Sequence, residues 1–262
     1  MFLHQEPFWQ TCWWKGTCLK HNPRSAFILL HGLAVPLHKD LCDVFTGQLK
    51  LSPEVLVMCP LAEINSVGVI PISFLPNFPG ITRLRSWFNF WLHPAKSVLV
   101  EGGGEDKDEL EEAFKRVENI IRKLISEGIP SESIVLGGIS QGGALALYTA
   151  THSRYKLGGV VGIVTWLPGG PGRWQVDTWS RLNQDTPVLL LNGLVDMMVP
   201  VVPAGSQTSA VLDSFFSDFS YRLILGTHLT AATASTSSPR LRRWLRDKTP
   251  LTLDCETALC WI

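Results

Sequence analysis

The sequence has no excess of either charge, because 23 lysine and arginine residues balance 23 aspartate and glutamate residues over 262 positions. A balanced chain has no global attraction for nucleic acid or for an acidic substrate. We therefore expect no nucleic-acid partner. No apolar run approaches the roughly 20 residues that span a bilayer. At the N-terminus, His4, Glu6 and Pro7 interrupt the apolar run of a secretory signal. These absences favour a cytoplasmic protein.

Zinc-type spacing is also missing from the cysteines. A chain of this length buries a core large enough to fold without disulfide bonds, so free thiols are favoured over three disulfides. The stretch 101–106 is rich in glycine but lacks the Lys-Ser/Thr of a phosphate-binding loop. We expect neither a metal nor a cofactor. The six cysteines are Cys12, Cys18, Cys42, Cys59, Cys255 and Cys260.

The first 24 residues are an apolar extension with several tryptophans around Cys12 and Cys18. A mobile extension is the favoured interpretation of this segment. Reversible lipidation of the two cysteines is the alternative.

Short apolar runs alternate with helical patterns along residues 25–229, which predicts a single α/β domain. Nearly all-apolar strands are typical of a parallel sheet that helices cover on both faces. The strands are predicted at 25–32, 54–60, 133–138, 157–168, 186–196 and 221–228, and the helices at 106–128, 143–152 and 209–219.

Two regions depart from this alternation. Residues 64–97 combine four prolines with many aromatics and no clean period, which predicts a long ordered loop or lid. Residues 230–262 form a divergent C-terminal tail that begins with a low-complexity stretch, 230–240, expected to be flexible. The basic amphipathic segment 241–248 follows. We interpret it as a helix docked on the sheet, with transient membrane-surface contact as the alternative.

The pentapeptide from Gly138 to Gly142 reads Gly-Ile-Ser-Gln-Gly and lies between a predicted strand and a predicted helix. This is the context in which a G-x-S-x-G sequence forms a sharp turn that exposes its serine as a nucleophile. The alternative is a glycine-rich helix start in which Ser140 serves only as the cap. The flanking apolar strand and helix favour the nucleophile.

A serine nucleophile needs a histidine base and a carboxylate that orients it, in the chain order Ser, Asp or Glu, His. Five of the seven histidines precede Ser140 and His152 falls in the following helix, which leaves His228. Of the later aspartates, Asp196 directly follows a buried strand, at the edge where open α/β sheets place their sites. The others, Asp177, Asp185, Asp213 and Asp218, lie before a strand, on a predicted helix or in connecting segments.

Two backbone amides are candidates for stabilising the oxyanion that forms in acyl transfer. The amide of Gln141 starts the helix after the serine, and the amide of Leu33 lies in the loop after the first strand. His31 precedes the serine, so we expect it to form structural hydrogen bonds rather than to act as base.

The stretches "FILLHGL", "GIPSESIVLGGISQGGALALYTA", "GGVVGIVTWLP" and "PVLLLNGLVDMMVP" resemble the phospholipase/carboxylesterase group that contains acyl-protein thioesterases and lysophospholipases. This resemblance implies an α/β-hydrolase fold and a cytosolic serine hydrolase. Its implied substrates are S-acylated proteins or lysophospholipids. By position, Ser140 matches the nucleophile, Asp196 the acid and His228 the base, while Leu33 and Gln141 match the oxyanion-hole amides.

The irregular region also carries too many large apolar side chains for a solvated loop. Part of this set, including Trp87, could pack on the sheet, and the rest could line a groove for an acyl chain. The candidate substrate-binding residues are Phe74, Leu75, Phe78, Trp87, Trp166 and Leu167.

Overall fold

The computed structural model describes residues 12–14, 23–33, 47–52, 54–65, 84–90, 104–170, 173–237 and 239–253. The strands are β1 (Cys12–Trp14), β2 (Ser25–Leu30), β3 (Val55–Pro60), β4 (Ile64–Asn65), β5 (Leu84–Arg85), β6 (Ile134–Ile139), β7 (Gly159–Ile163), β8 (Val188–Gly193) and β9 (Phe219–Ile224). The longer helices are α1 (Lys107–Ser126), α2 (Gln141–His152), α3 (Ser206–Phe215), α4 (His228–Ser237) and α5 (Pro239–Lys248).

Seven strands form one sheet in the order β1-β3-β2-β6-β7-β8-β9. All neighbours in it are parallel except β1, which pairs antiparallel with β3. Every residue of β2, β3, β6, β7 and β8 is buried, as the apolar runs predict. The carboxyl ends of the parallel strands therefore meet at one edge, which we call the carboxyl edge of the sheet.

Two apolar cores cover the two faces of the sheet. One core contains the inner faces of α1 and α2, and the other contains α5 and side chains from the opposite face of β2, β7 and β8. Asp106 caps the N-terminus of helix α1, because its side chain accepts hydrogen bonds from the amides of Asp108 and Glu109. The helix ends before Gly128, which has a φ of 96°. The predicted α/β architecture and its helix at 106–128 are confirmed.

Three expectations about the flanking segments change. The N-terminal extension is not mobile at Cys12–Trp14, which extends the sheet as β1. The stretch 230–237 is helical as part of α4 rather than flexible. Its start is fixed by the amide of Thr227, which donates to Thr230 Oγ1 at 2.8 Å, a helix-capping bond. Cys59 is disulfide-bonded rather than a free thiol, which the spacing of the cysteines along the chain does not reveal.

The basic segment 241–248 forms most of α5, as predicted. Leu241, Trp244 and Leu245 are buried in the second core, so this amphipathic helix docks on the sheet with its arginines outward. In the parts of the chain that the structure describes, no helix combines the length and apolar character needed to cross a bilayer.

Candidate active site

Ser140 lies in the sharp turn between β6 and α2, at the carboxyl edge of the sheet. Its backbone has a φ of 53°, a left-handed conformation that a residue with a side chain rarely adopts. Hydrogen bonds hold the turn, because the Ser140 amide donates to the Ile163 carbonyl at 2.8 Å and Ala144 donates to the Ser140 carbonyl at 2.9 Å.

The glycines of the pentapeptide allow the strand and helix to meet this closely. A Cβ on Gly138 would overlap the backbone of Gly142, and a Cβ on Gly142 would overlap the carbonyls of Leu30 and His31. Any larger residue at either position would push α2 off the sheet. The spacing of the motif therefore follows from backbone contact and not from the serine alone.

The structure brings the three predicted triad residues together although they are far apart in the chain. His228 Nε2 lies 3.0 Å from Ser140 Oγ, and His228 Nδ1 lies 2.7 Å from Asp196 Oδ2. Asp196 and His228 are 4% and 8% exposed. This chain of two hydrogen bonds leads from a buried carboxylate through an imidazole to a strained serine.

The carboxylate of Asp196 is fixed on both oxygens. Its Oδ1 accepts from the amides of Met198 and Val199 at 2.8 and 2.9 Å, which leaves Oδ2 for His228. A carboxylate can only accept, so Nδ1 of His228 carries the proton and Nε2 presents a lone pair to Ser140. That is the tautomer able to take the serine proton.

The loop after β2 lies against Ser140, and a Cβ on Gly32 would come within 3.3 Å of Ser140 Cβ. His31 has the structural role expected for it. Its Nε2 accepts from the Ala62 amide at 3.0 Å and its Nδ1 donates to the Gly32 carbonyl at 2.7 Å. Leu33 follows directly and is half-buried. The oxyanion role of its amide stays a prediction.

The side chain of Gln141 forms structural hydrogen bonds that the sequence did not predict. It is fully buried, and its Oε1 accepts from the Trp87 amide at 3.0 Å while its Nε2 donates to the Phe88 carbonyl at 2.6 Å. Trp87 in turn donates through Nε1 to the His31 carbonyl at 2.8 Å. Gln141 thus ties the segment 86–88 and, through Trp87, the loop after β2 to the start of α2.

We expect Gln141→Met to destabilise the fold while leaving the backbone amide of residue 141 in place. The change removes the acceptor of the buried Trp87 amide, which costs about 1–3 kcal/mol when unpaired, whereas Ser86 Oγ still donates to the Phe88 carbonyl at 2.8 Å. Denaturant unfolding should therefore give a free energy of unfolding lower by about 1–3 kcal/mol. Gln184→Met is the control. A stability equal to that of the natural chain would contradict this role.

A second supporting pair was also missed. Thr165 Oγ1 donates to the Ser140 carbonyl at 2.6 Å, and Asn192 Nδ2 donates to the Thr165 carbonyl at 3.2 Å. Asn192 lies near the end of β8, so this pair links the strand that precedes Asp196 to the serine turn. Both polar residues follow or lie within buried apolar runs, which is the only sequence signal they give.

The predicted substrate-binding residues divide into two groups. Phe74, Leu75 and Phe78 lie outside the described residues. Trp166 and Leu167 follow β7 and, like Trp87, are nearly fully buried. Trp166 Nε1 donates to Glu105 Oε1 at 2.8 Å, and the Leu167 amide donates to Thr208 Oγ1 at 3.1 Å. Contact of these residues with a substrate stays a prediction.

A cavity of about 420 Å³ lies beside α1 and the second half of α2. Leu167 lines it, together with Tyr148 and His152, whose rings stack at 4.0 Å. Burial lowers the pKa of His152, whereas burial and the neighbouring Glu111 raise the pKa of Tyr148 to about 12. None of the three triad residues lines this cavity.

Residues 17–230 match the model of the phospholipase/carboxylesterase family. The chain is 32% identical to acyl-protein thioesterase 1 of Cryptococcus neoformans, over 70% of this chain and 74% of that protein. It is 31% identical to acyl-protein thioesterase 1 of Yarrowia lipolytica, over 45% of this chain and 48% of that protein. The chain thus spans about half the length of the Yarrowia relative, and 62% of a relative from Kluyveromyces lactis.

Solved structures share the fold. Arabidopsis thaliana SOBER1 matches with a TM-score of 0.67 at 24% identity, over 86% of this chain and 99% of that chain. Zea mays acyl-protein thioesterase 2 matches with a TM-score of 0.62 at 21% identity, over 86% and 94%. The fold is that of the α/β-hydrolases. The chain belongs to the phospholipase/carboxylesterase family, as its sequence motifs indicate.

Proposed function

We propose that this protein is a serine hydrolase that cleaves long-chain acyl thioesters from protein cysteines with Ser140, His228 and Asp196. The observation that carries the proposal is the continuous hydrogen-bonded path from Asp196 Oδ2 through the imidazole to Ser140 Oγ, with distances of 2.7 and 3.0 Å. Similarity to proteins named acyl-protein thioesterases supports the substrate class.

In the first half of the proposed reaction, His228 Nε2 takes the hydroxyl proton as Ser140 Oγ attacks the thioester carbonyl carbon. The backbone amides of Leu33 and Gln141 would hold the negative oxygen of the tetrahedral intermediate. The intermediate collapses as the carbon–sulfur bond breaks, and His228 gives its proton to the leaving thiolate. The products are a free cysteine thiol and an acyl ester on Ser140.

In the second half, water replaces the thiol. His228 removes a proton from the water as its oxygen attacks the acyl ester, and a second tetrahedral intermediate forms. When it collapses, the proton returns to Ser140 Oγ and the fatty acid leaves. The residues named supply every proton transfer in this scheme. Asp196 stays ionised throughout and stabilises the imidazolium in both halves.

The substrate is tested by comparing hydrolysis of a palmitoylated peptide with hydrolysis of a lysophospholipid. We expect a higher kcat/KM for the peptide thioester. A higher value for the lysophospholipid would favour the alternative, a general carboxylesterase or lysophospholipase with the same chemistry. A chain that neither hydrolyses any ester nor reacts with a fluorophosphonate probe would instead be an inactive lipid-binding homologue.

The acyl groove remains a prediction from the sequence, and Phe74, Leu75 and Phe78 test it. Each methylene buried in an apolar groove contributes about 0.8 kcal/mol, so a palmitoyl chain depends on the groove far more than an acetyl group does. We expect the triple change of these residues to Ser to lower hydrolysis of palmitoyl thioesters much more than hydrolysis of acetyl or butyryl esters. An equal loss on both would indicate misfolding, and no loss would place the three side chains in ordinary packing.

We also propose a cytoplasmic location, which the resemblance to cytosolic serine hydrolases of the family implies. The disulfide of Cys59 weighs against it, because disulfides persist mainly in oxidising compartments. Cell fractionation tests the location, and a thiol-trapping reagent added at lysis tests whether Cys59 is disulfide-bonded in the cell.

A further inference from the structure

The Ser140 carbonyl oxygen accepts two hydrogen bonds, one from within α2 and one from a neighbouring strand end. The Ala144 amide donates to it at 2.9 Å, and Thr165 Oγ1 donates to it at 2.6 Å. The same peptide unit carries the Gln141 amide, which is the first N–H of α2 and has no acceptor inside that helix. A trans peptide unit is planar, so its C=O and N–H groups point in opposite directions. The two bonds to the carbonyl therefore set the direction of the Gln141 N–H.

The backbone of Thr165 is anchored to β8. Thr165 is fully buried just after β7, and its amide and carbonyl both bond to the side chain of Asn192, at 3.4 and 3.2 Å. Val164, directly before it, has a φ of 46°, a left-handed conformation that a β-branched residue rarely adopts. The Val164 amide donates to the Leu191 carbonyl at 2.6 Å, which holds this turn against the same strand. The sheet thus fixes the position from which the Thr165 hydroxyl reaches the serine turn.

Two glycines restrict the side chain of Thr165. A Cβ on Gly143 would come within 2.7 Å of Thr165 Cβ and 2.9 Å of its Cγ2, and a Cβ on Gly162 would come within 2.8 Å of the same Cγ2. The methyl group of Thr165 therefore occupies the space that these glycines leave open on α2 and β7. A β-branched side chain has few χ1 rotamers, so a methyl group packed there leaves the hydroxyl directed at the Ser140 carbonyl.

We propose that Thr165 is a positioning residue for the oxyanion hole, because its hydroxyl fixes the Ser140–Gln141 peptide and so aims the Gln141 N–H at the oxyanion. This inference rests on the proposed function, in which that amide stabilises the tetrahedral intermediate. The left-handed backbone of Ser140 needs support from its surroundings, and the Thr165 hydroxyl supplies it on the carbonyl side. Negative charge develops on the oxygen only in the transition state. A misdirected N–H should therefore lower kcat rather than weaken substrate binding.

The test compares two substitutions of Thr165 in the full chain, with a butyryl ester as substrate. Thr165→Val keeps the β-branched shape but removes the donor, and a methyl group cannot approach the Ser140 carbonyl oxygen as closely as 2.6 Å. We expect kcat to fall by about 10- to 100-fold with KM unchanged, the loss expected from a displacement of about 1 Å. Thr165→Ser keeps the donor and loses the methyl group. It should retain most of the natural kcat and lower the midpoint of thermal unfolding by about 2–4 °C.

The matched control is Thr149→Val. Thr149 is also fully buried, and its hydroxyl donates to the Leu145 carbonyl at 2.8 Å, further along α2 than the serine turn. This variant should keep the natural kcat.

Inhibition by an alkyl trifluoromethyl ketone adds a measurement that a purely structural role would not change. Ser140 Oγ adds to the ketone carbon, the hydroxyl proton passes to His228 Nε2, and the ketone oxygen becomes the oxyanion. The inhibition constant should rise in Thr165→Val by about the factor by which kcat falls. It should stay at the natural value in Thr165→Ser and in Thr149→Val.

A lower kcat and an equally weakened ketone in Thr165→Val, both restored in Thr165→Ser, support Thr165 as the positioning residue. Natural kcat in Thr165→Val, or an equal loss in Thr165→Ser, overturns the inference while ester hydrolysis by the natural chain still supports the enzyme. Thr165→Ala lacks the hydroxyl without adding a methyl group, so it replaces Thr165→Val in the same comparison if the valine variant does not fold. A natural chain that hydrolyses no ester overturns the proposed function and this inference together.

Discussion

Ser140→Ala is expected to lower kcat by about a million-fold and to abolish labelling by a fluorophosphonate probe. The alanine removes the hydroxyl oxygen that His228 Nε2 faces at 3.0 Å, so no acyl-enzyme can form. Residual hydrolysis would come from oxyanion stabilisation and substrate binding alone, and it would proceed by direct attack of water. Mass spectrometry of the probe-labelled protein and single-turnover hydrolysis of a palmitoylated peptide measure both effects.

Ser214→Ala is the matched control, since Ser214 is exposed on α3 and its hydroxyl donates to the Val211 carbonyl, away from the triad. It should keep full labelling and full turnover. Labelling that survives in Ser140→Ala at another serine would refute Ser140 as the nucleophile. A large loss of stability in Ser140→Ala would be unexpected, because alanine keeps the strained backbone and removes one partly buried hydroxyl.

Asp196→Asn is expected to reduce kcat by about 10⁴-fold with the fold intact. The asparagine oxygen can still accept from the Met198 and Val199 amides, which directs its NH₂ group at His228 Nδ1. That nitrogen must then accept, so the imidazole proton moves to Nε2, where it faces Ser140. A histidine in this tautomer cannot take the serine proton. The loss should appear in acylation, measured as the rate of the pre-steady-state burst.

Asp213→Asn serves as the control for the acid, because Asp213 is exposed on α3 and forms no part of the triad. It should have natural kinetics. If Asp213→Asn or Asp218→Asn were the damaging change and Asp196→Asn were harmless, the assignment of the acid would be wrong. Circular dichroism and the midpoint of thermal unfolding establish that each variant is folded.

The juxtaposition of Ser140, His228 and Asp196 could be predicted because each of these residues follows a pattern that the sequence shows. Ser140 follows an apolar run with glycines at fixed spacing, and Asp196 and His228 each follow a later strand in the required order. The sheet was predictable for the same reason, since buried parallel strands are almost wholly apolar. Chain order and strand ends together place residues 88 positions apart within hydrogen-bonding distance.

The supports of the site could not be predicted, because they depend on contacts between distant parts of the chain. The Gln141 side chain meets Trp87 across 54 positions, and neither residue carries a local signal of the other. Helix α4 was missed for a related reason. Its Thr and Ala residues give no apolar period and no charge pattern, and Ala231 becomes fully buried only against its tertiary neighbours. Phe74, Leu75 and Phe78 lie outside the described residues and stay predictions.

The strained turn at Ser140 should tolerate different substitutions under selection for stability and under selection for catalysis. If variants were selected only for cellular abundance, Gly138 and Gly142 would tolerate almost no substitution, because any side chain there collides with the backbone. Ser140 itself would be free to change, and glycine would be enriched, since it adopts a φ of 53° without cost. Sorting for hydrolysis would instead retain serine at that single position and remove glycine. Position 140 would therefore differ between the two sets of tolerated substitutions, and that difference would identify the nucleophile.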